Sequence, residues 1–185
     1  QSIANKIIEG KDDLIASTND YDWLGHGIYF WENNELRALQ YANDMMGRAH
    51  SSVKCPAVIG AIIDLGYCMD LTDSLYLGEL KESYNVLVET CRVTGISLPT
   101  NSTIGISEDK LLRRLDCAVI TAHQINREVS GREFDSVKGV FWEGVELYPD
   151  AGFREKNHIQ ICVRNPNCIK GFFLPRKLDM NYINP

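Results

Sequence analysis

Asp22-Trp23-Leu24-Gly25-His26-Gly27-Ile28-Tyr29-Phe30-Trp31, followed by Arg37-Ala38-Leu39-Gln40-Tyr41-Ala42, decides how the rest of this chain reads. Gly25 and Gly27 permit a positive φ or a close approach to a ligand, and they lead straight into the β-favouring run Ile28 to Trp31. The pattern predicts a loop aimed at a target, a short strand, and a helix N-capped by Asn33 or Asn34. Tyr29 on the strand and Tyr41 on the helix offer two flat faces, as an aromatic ring needs on either side. The bland account is that both are half-buried core aromatics, and His26 reads as an exposed loop residue.

Working outward, Leu36, Leu39 and Met46 predict a broad apolar side on that helix, running on to His50, with Tyr41 on it. Upstream, Ile3, Ala4, Ile7 and Ile8 fall at helical spacing, and Gly10 closes the helix. Ala57 to Leu65 is a mostly apolar run of strand length and reads as a buried central strand. From Thr72 to about Arg127 the pattern is helical. Leu75, Leu80, Tyr84, Leu87, Val88 and Cys91 suit one helix, Leu111, Leu112, Leu115, Val119 and Ile120 a second, with the loop Leu98 to Ile106 between. Lys110, Arg113 and Arg114 read as a solvated helix face. Strand character resumes at Val137 to Trp142 and His158 to Val163, and Asn165-Pro166-Asn167 turns the chain into Ile169 to Leu174.

A chain of 185 residues, 44% hydrophobic, predicts one domain with one substantial core. No run approaches the roughly 18 apolar residues that cross a bilayer, so no membrane partner is expected. The net charge of −6 speaks against a broad footprint for duplex nucleic acid and leaves a local site open. The six cysteines, Cys55, Cys68, Cys91, Cys117, Cys162 and Cys168, form no Cys-x-x-Cys pair and have no His at ligand spacing. No metal site is expected; they read as small buried hydrophobes in a reducing cytoplasm.

The Gly-x-Gly-Ile-Tyr-Phe block with its helical Tyr41 resembles the signature of diphtheria-toxin-like and poly(ADP-ribose)-polymerase-like ADP-ribosyltransferases. The resemblance implies an α+β fold, a split β-sheet core with flanking helices, spanning residues 1–185 with a helical insertion at about 72–127. It implies NAD as co-substrate, its nicotinamide sandwiched by Tyr29 and Tyr41, and a cofactor site of Gly25, Gly27, Tyr29, Phe30 and Tyr41. In the resembling family a strand carrying a Tyr-His-Gly pattern precedes the first helix. That strand is expected to be missing here.

The second region is Gly139-Val140-Phe141-Trp142-Glu143-Gly144, then Asn157-His158-Ile159-Gln160-Ile161-Cys162-Val163. In the resembling enzymes a target-touching loop precedes a strand whose first inward residue is usually a Glu that binds the nicotinamide ribose. The matching strand offers His158 and Gln160, which share a face because side chains alternate. Both are assigned to the catalytic set with Tyr29 and Tyr41, and neither is Glu. A carboxylate about 4 Å from the oxocarbenium-like ribose contributes up to roughly 4 kcal/mol at an effective dielectric of about 20. Its loss is worth on the order of a thousandfold in rate. Glu143, Glu146 and Glu155 are candidates to restore the charge, each otherwise a solvated loop residue.

The resemblance covers roughly residues 1–65 and 137–175 and lies nearest bacterial toxins of toxin–antitoxin and chaperone-linked phage-defence systems, some of which modify RNA. It implies a cytoplasmic mono-ADP-ribosyltransferase held by an antitoxin protein. Trp142, Glu143, Tyr148, Phe153 and Arg154, with Lys156, are the expected substrate loop, a stacking platform with local positive charge suited to single-stranded RNA. Two alternatives stay open: the same enzyme acting on a protein side chain, and a module that holds NAD or ADP-ribose without transfer.

Overall fold

The computed structural model describes residues 2–48, 51–105, 108–176 and 180–182. Helix α1, Ile3–Ile8, is capped by Ser2, whose Oγ accepts the Asn5 N–H at 3.3 Å. Strand β1, Ile28–Trp31, precedes α2, Glu35–Met46, where Asn34 Oδ1 accepts the Arg37 N–H at 3.0 Å. After β2, Gly60–Ile63, and β3, Cys68–Asp70, comes the long α3, Ser74–Thr94, which ends at Gly95 with φ +71°. The short β4, Asn101–Ser102, and β5, Leu112–Arg113, lead into α4, Arg114–Val129. β6, Ser136–Phe141, β7, His158–Val163, and β8, Ile169–Phe173, complete the chain.

The strands form a four-stranded sheet in the order β1-β7-β6-β3, a separate β2-β8 pair and a small β4-β5 pair. β7 runs antiparallel to both its neighbours, while β3 is parallel to β6. The fold is α+β, in layers. One face of the large sheet places Val137, Phe141 and Cys162 in a core with Leu24, Ile120 and Phe134. The other face gives Ile28, Ile161 and Val163 to a second core closed by Ile63, Leu65 and Ile169 around the β2-β8 pair. α3 and α4 are pinned together by Ser83 Oγ and His123 Nδ1 at 2.8 Å, with His123 Nε2 3.3 Å from Glu79.

Several expectations are corrected. Ala57 to Leu65 is no central strand: only Gly60–Ile63 is extended, it pairs with β8 alone, and Ile62 is exposed. The second middle helix starts at Arg114, because Leu112–Arg113 pairs with β4 instead. On α2 the apolar residues Leu36, Leu39 and Met46 face solvent, and the buried residue of that helix is Arg37. His50 and Ile106 lie outside the described residues.

Candidate active site

Strand register sorts the signature residues. Tyr29 lies opposite Cys162 and Trp31 opposite Gln160, so Tyr29, Trp31, Gln160 and His158 share the face of the sheet that carries Phe141. Phe30 points the other way, into the second core, so its assignment to the cofactor site is corrected. The glycines position this strand. Gly25 takes φ +78°, and at Gly27 a Cβ would lie 2.5 Å from Cys162 Sγ and 2.6 Å from the Val163 carbonyl, so only Gly lets β1 approach β7 there. Both glycines therefore serve the loop's shape and its packing on β7; they are not on the wall of the cavity described next.

That cavity, about 580 Å³, is bounded by Tyr29, Trp31, Arg37, Tyr41, Glu143 and Gln160, with Trp23, Asp109 and Lys156 at its sides. Its size falls in the ordinary range of small-molecule pockets. Tyr41 and Trp31 stand with ring centroids 5.0 Å apart at 46°. The Tyr29 hydroxyl accepts the Leu24 N–H at 2.8 Å and donates to the Gly25 carbonyl at 2.6 Å, holding the loop ahead of β1. Burial raises the Tyr29 phenol far above its ordinary range, so it stays protonated.

Gln160 and His158 divide their labour. His158 is enclosed, its ring stacked on Phe141 at 5.5 Å. Burial lowers its pKa, so it is neutral, and its Nδ1–H donates to the Lys156 carbonyl at 2.5 Å. Nε2 is then an acceptor, and takes the Gln160 amide N–H at 3.0 Å. With its amide nitrogen committed to His158, Gln160 lines the cavity. His158 hydrogen-bonds Gln160 from behind the cavity wall and does not itself line the cavity, unlike Tyr29, Tyr41 and Gln160, with which the sequence groups it.

The largest departure is Glu143. Read from sequence as a loop charge, its side chain is only 2% exposed. Arg37 Nη2 stands 3.8 Å from Glu143 Oε2, and His158 Nδ1 is 4.0 Å from the same oxygen. Glu143 Oε1 and Arg37 Nε and Nη1 are buried with no hydrogen-bond partner among the described residues. Burial pushes the Glu143 carboxyl up to about 7; Asp109 adds to the rise, and Arg37, Arg113 and Lys156 oppose it. Glu146 and Glu155 are exposed, as solvated charges should be. Sequence reasoning missed Trp31 and Arg37, though Trp31 sits two residues from Tyr29 and must share its face.

Beyond Glu143 the loop carries exposed Trp142, Tyr148 and Phe153. The Arg154 guanidinium lies 3.7 Å from the Trp142 ring centroid, a cation–π stack on the surface. Among the described residues no group of three or more His, Cys, Asp or Glu side chains could hold a metal ion, and no helix is long and apolar enough to cross a membrane.

No protein-family model matches the chain, and no solved structure does. The chain is 30% identical over 187 aligned positions to the uncharacterized protein MJ0359 of Methanocaldococcus jannaschii, covering 90% of this chain and 79% of the archaeal one.

Proposed function

We propose that this chain, which belongs to one family with the archaeal protein MJ0359, is a mono-ADP-ribosyltransferase that takes NAD into the cavity between β1, β7 and α2. The observation that carries the reading is the convergence there of Tyr29, Trp31 and Tyr41 with Gln160 and the buried Arg37 and Glu143. Aromatic faces hold the nicotinamide, and the Gln160 oxygen accepts a hydroxyl of the adjoining ribose. Cleavage of the bond from C1′ to the nicotinamide nitrogen sends the electron pair out with neutral nicotinamide. The acceptor's lone pair then closes on C1′, and its proton is released. A neutral amide orients the ribose without countering its developing charge, which suits transfer of one unit.

RNA is the acceptor class we favour, because Trp142, Tyr148 and Phe153 expose aromatic surface on the loop that starts beside the cavity, with Arg154 lying over one of them. Single-stranded bases stack on such a platform without an overall positive charge. By the same resemblance the protein is a cytoplasmic toxin of a phage-defence system, restrained by an antitoxin protein. The test is incubation with labelled NAD and cell extract, followed by separate ribonuclease and protease digestion. Label removed by ribonuclease supports the reading; label removed only by protease transfers it to a protein acceptor, and absence of NAD turnover leaves a binding module.

A further inference from the structure

The ion pair at the back of the cavity is built unlike a structural one. Arg37 and Glu143 are both nine-tenths or more buried, yet their nearest approach is 3.8 Å, too long for a direct hydrogen bond. A pair kept for stability would close that gap, since its desolvation is offset only by good geometry. Instead Glu143 Oε1 and two Arg37 nitrogens stay without partners among the described residues, on side chains that line the cavity. The backbone around the carboxylate is clamped: the Glu143 carbonyl accepts the Lys156 N–H at 3.0 Å, and Gly144 N–H donates to Asp109 Oδ2 at 3.1 Å. His158 Nδ1, the other group near Oε2, has its proton committed to the Lys156 carbonyl. Glu143 is thus a buried carboxylate on the cavity lining, its backbone held on both sides and one oxygen without a hydrogen bond among the described residues, one residue from exposed Trp142 on the loop assigned to the acceptor.

We infer that Glu143 is a catalytic base, taking the proton of the acceptor's hydroxyl or amino group as that atom attacks C1′, with the Arg37 guanidinium as the cation beside it. This inference rests on the ADP-ribosyl transfer reading and adds the step that reading leaves to solvent. In the balanced step the acceptor O–H or N–H bond breaks and its proton passes to Glu143. The acceptor's oxygen or nitrogen bonds to C1′, and nicotinamide leaves with the electron pair of the broken glycosidic bond. Glu143 then gives the proton to water. The charged groups facing it are Arg37 on α2, Arg113 on β5, and Asp109 and Lys156 from the neighbouring segments, and the titratable His158 on β7 is neutral.

The test uses the full chain as wild type, Glu143→Gln and Arg37→Lys. NAD affinity is measured by calorimetry, and transfer by incorporation of labelled ADP-ribose into acid-precipitable material from cell extract. Glu143→Gln should bind NAD within about twofold of wild type and lose on the order of a hundredfold or more in transfer. The wild-type transfer rate should rise with pH and level off above about 7, whereas the Gln variant should show no such rise. Arg37→Lys should move the pH profile of transfer, because it changes the cation beside the Glu143 carboxylate. A wild type that neither binds nor consumes NAD overturns the transfer reading, and this inference with it. Normal NAD turnover with equal transfer by wild type and Glu143→Gln overturns the inference alone. Label appearing only as free ADP-ribose means hydrolysis without transfer and overturns both.

Discussion

Replacing Glu143 by Gln should make this protein more stable at pH 8 while leaving it little changed at acidic pH. The carboxyl sits at about 7 in the fold against an ordinary value of 4.5. Between those values the folded chain holds a proton that the unfolded chain has released, so stability declines as pH rises from about 4.5 through about 7. Above that window the ionised carboxylate costs about 3 kcal/mol, at about 1.4 kcal/mol per pH unit of difference. The opposing attraction of Arg37 is already contained in that shift. Glutamine mimics the protonated side chain in size and hydrogen-bonding capacity, so it should recover most of this amount. For a chain of this length that corresponds to a rise in Tm of roughly 6 to 12 °C at pH 8. Thermal melts of both proteins from pH 5 to pH 8, followed by circular dichroism, provide the check. A melting difference that stays constant with pH, or a Gln variant less stable at pH 8, would refute the reasoning. Stability gained by neutralising a buried charge is the pattern of a residue kept for function.

Other outcomes follow from the same geometry. On the transfer reading, in which the Gln160 carbonyl is engaged most strongly as the ribose gains positive charge, Gln160→Ala should lower turnover far more than NAD affinity; steady-state kinetics beside calorimetry checks this. Tyr41→Ala should weaken NAD binding about fivefold and Tyr41→Phe should not, since only the ring face is used. Tyr29→Phe should by contrast cost about 1 to 3 kcal/mol in denaturant unfolding, because it strands the Leu24 N–H that its hydroxyl accepts. Gly27→Ala drives a Cβ to 2.6 Å from the Val163 carbonyl; it should destabilise by about 3 kcal/mol, and an unchanged urea midpoint would contradict the packing described for β1.

What the sequence made legible was local. The strand His158–Val163 and the Asn34 cap are where alternation and capping chemistry put them, since each depends on residues close in the chain. Phe30 was misassigned although the period of two already separates it from Tyr29 and Trp31. The failures concern burial, which depends on partners far away. Leu36, Leu39 and Met46 have the spacing of a buried stripe, yet α2 turns Arg37 inward because the cavity lies on that side. Glu143 looks like any loop carboxylate until the stretch after β6 folds it back against α2 and β7. A two-strand edge such as β2 with β8 likewise carries an apolar sequence, because its inner side closes the second core.

The strand order β1-β7-β6-β3 also governs when during synthesis the cavity can form. Tyr29, Trp31, Arg37 and Tyr41 emerge early, but β1 has no neighbour until β7 is made, and β3 none until β6. Glu143 and Gln160 arrive in the last quarter of the chain. Pairing over such separations is slow, so the cavity should lag behind synthesis and then form all at once. A nascent or prematurely terminated chain that lacks β6 and β7 has Tyr29, Trp31, Arg37 and Tyr41 but no cavity for them to line.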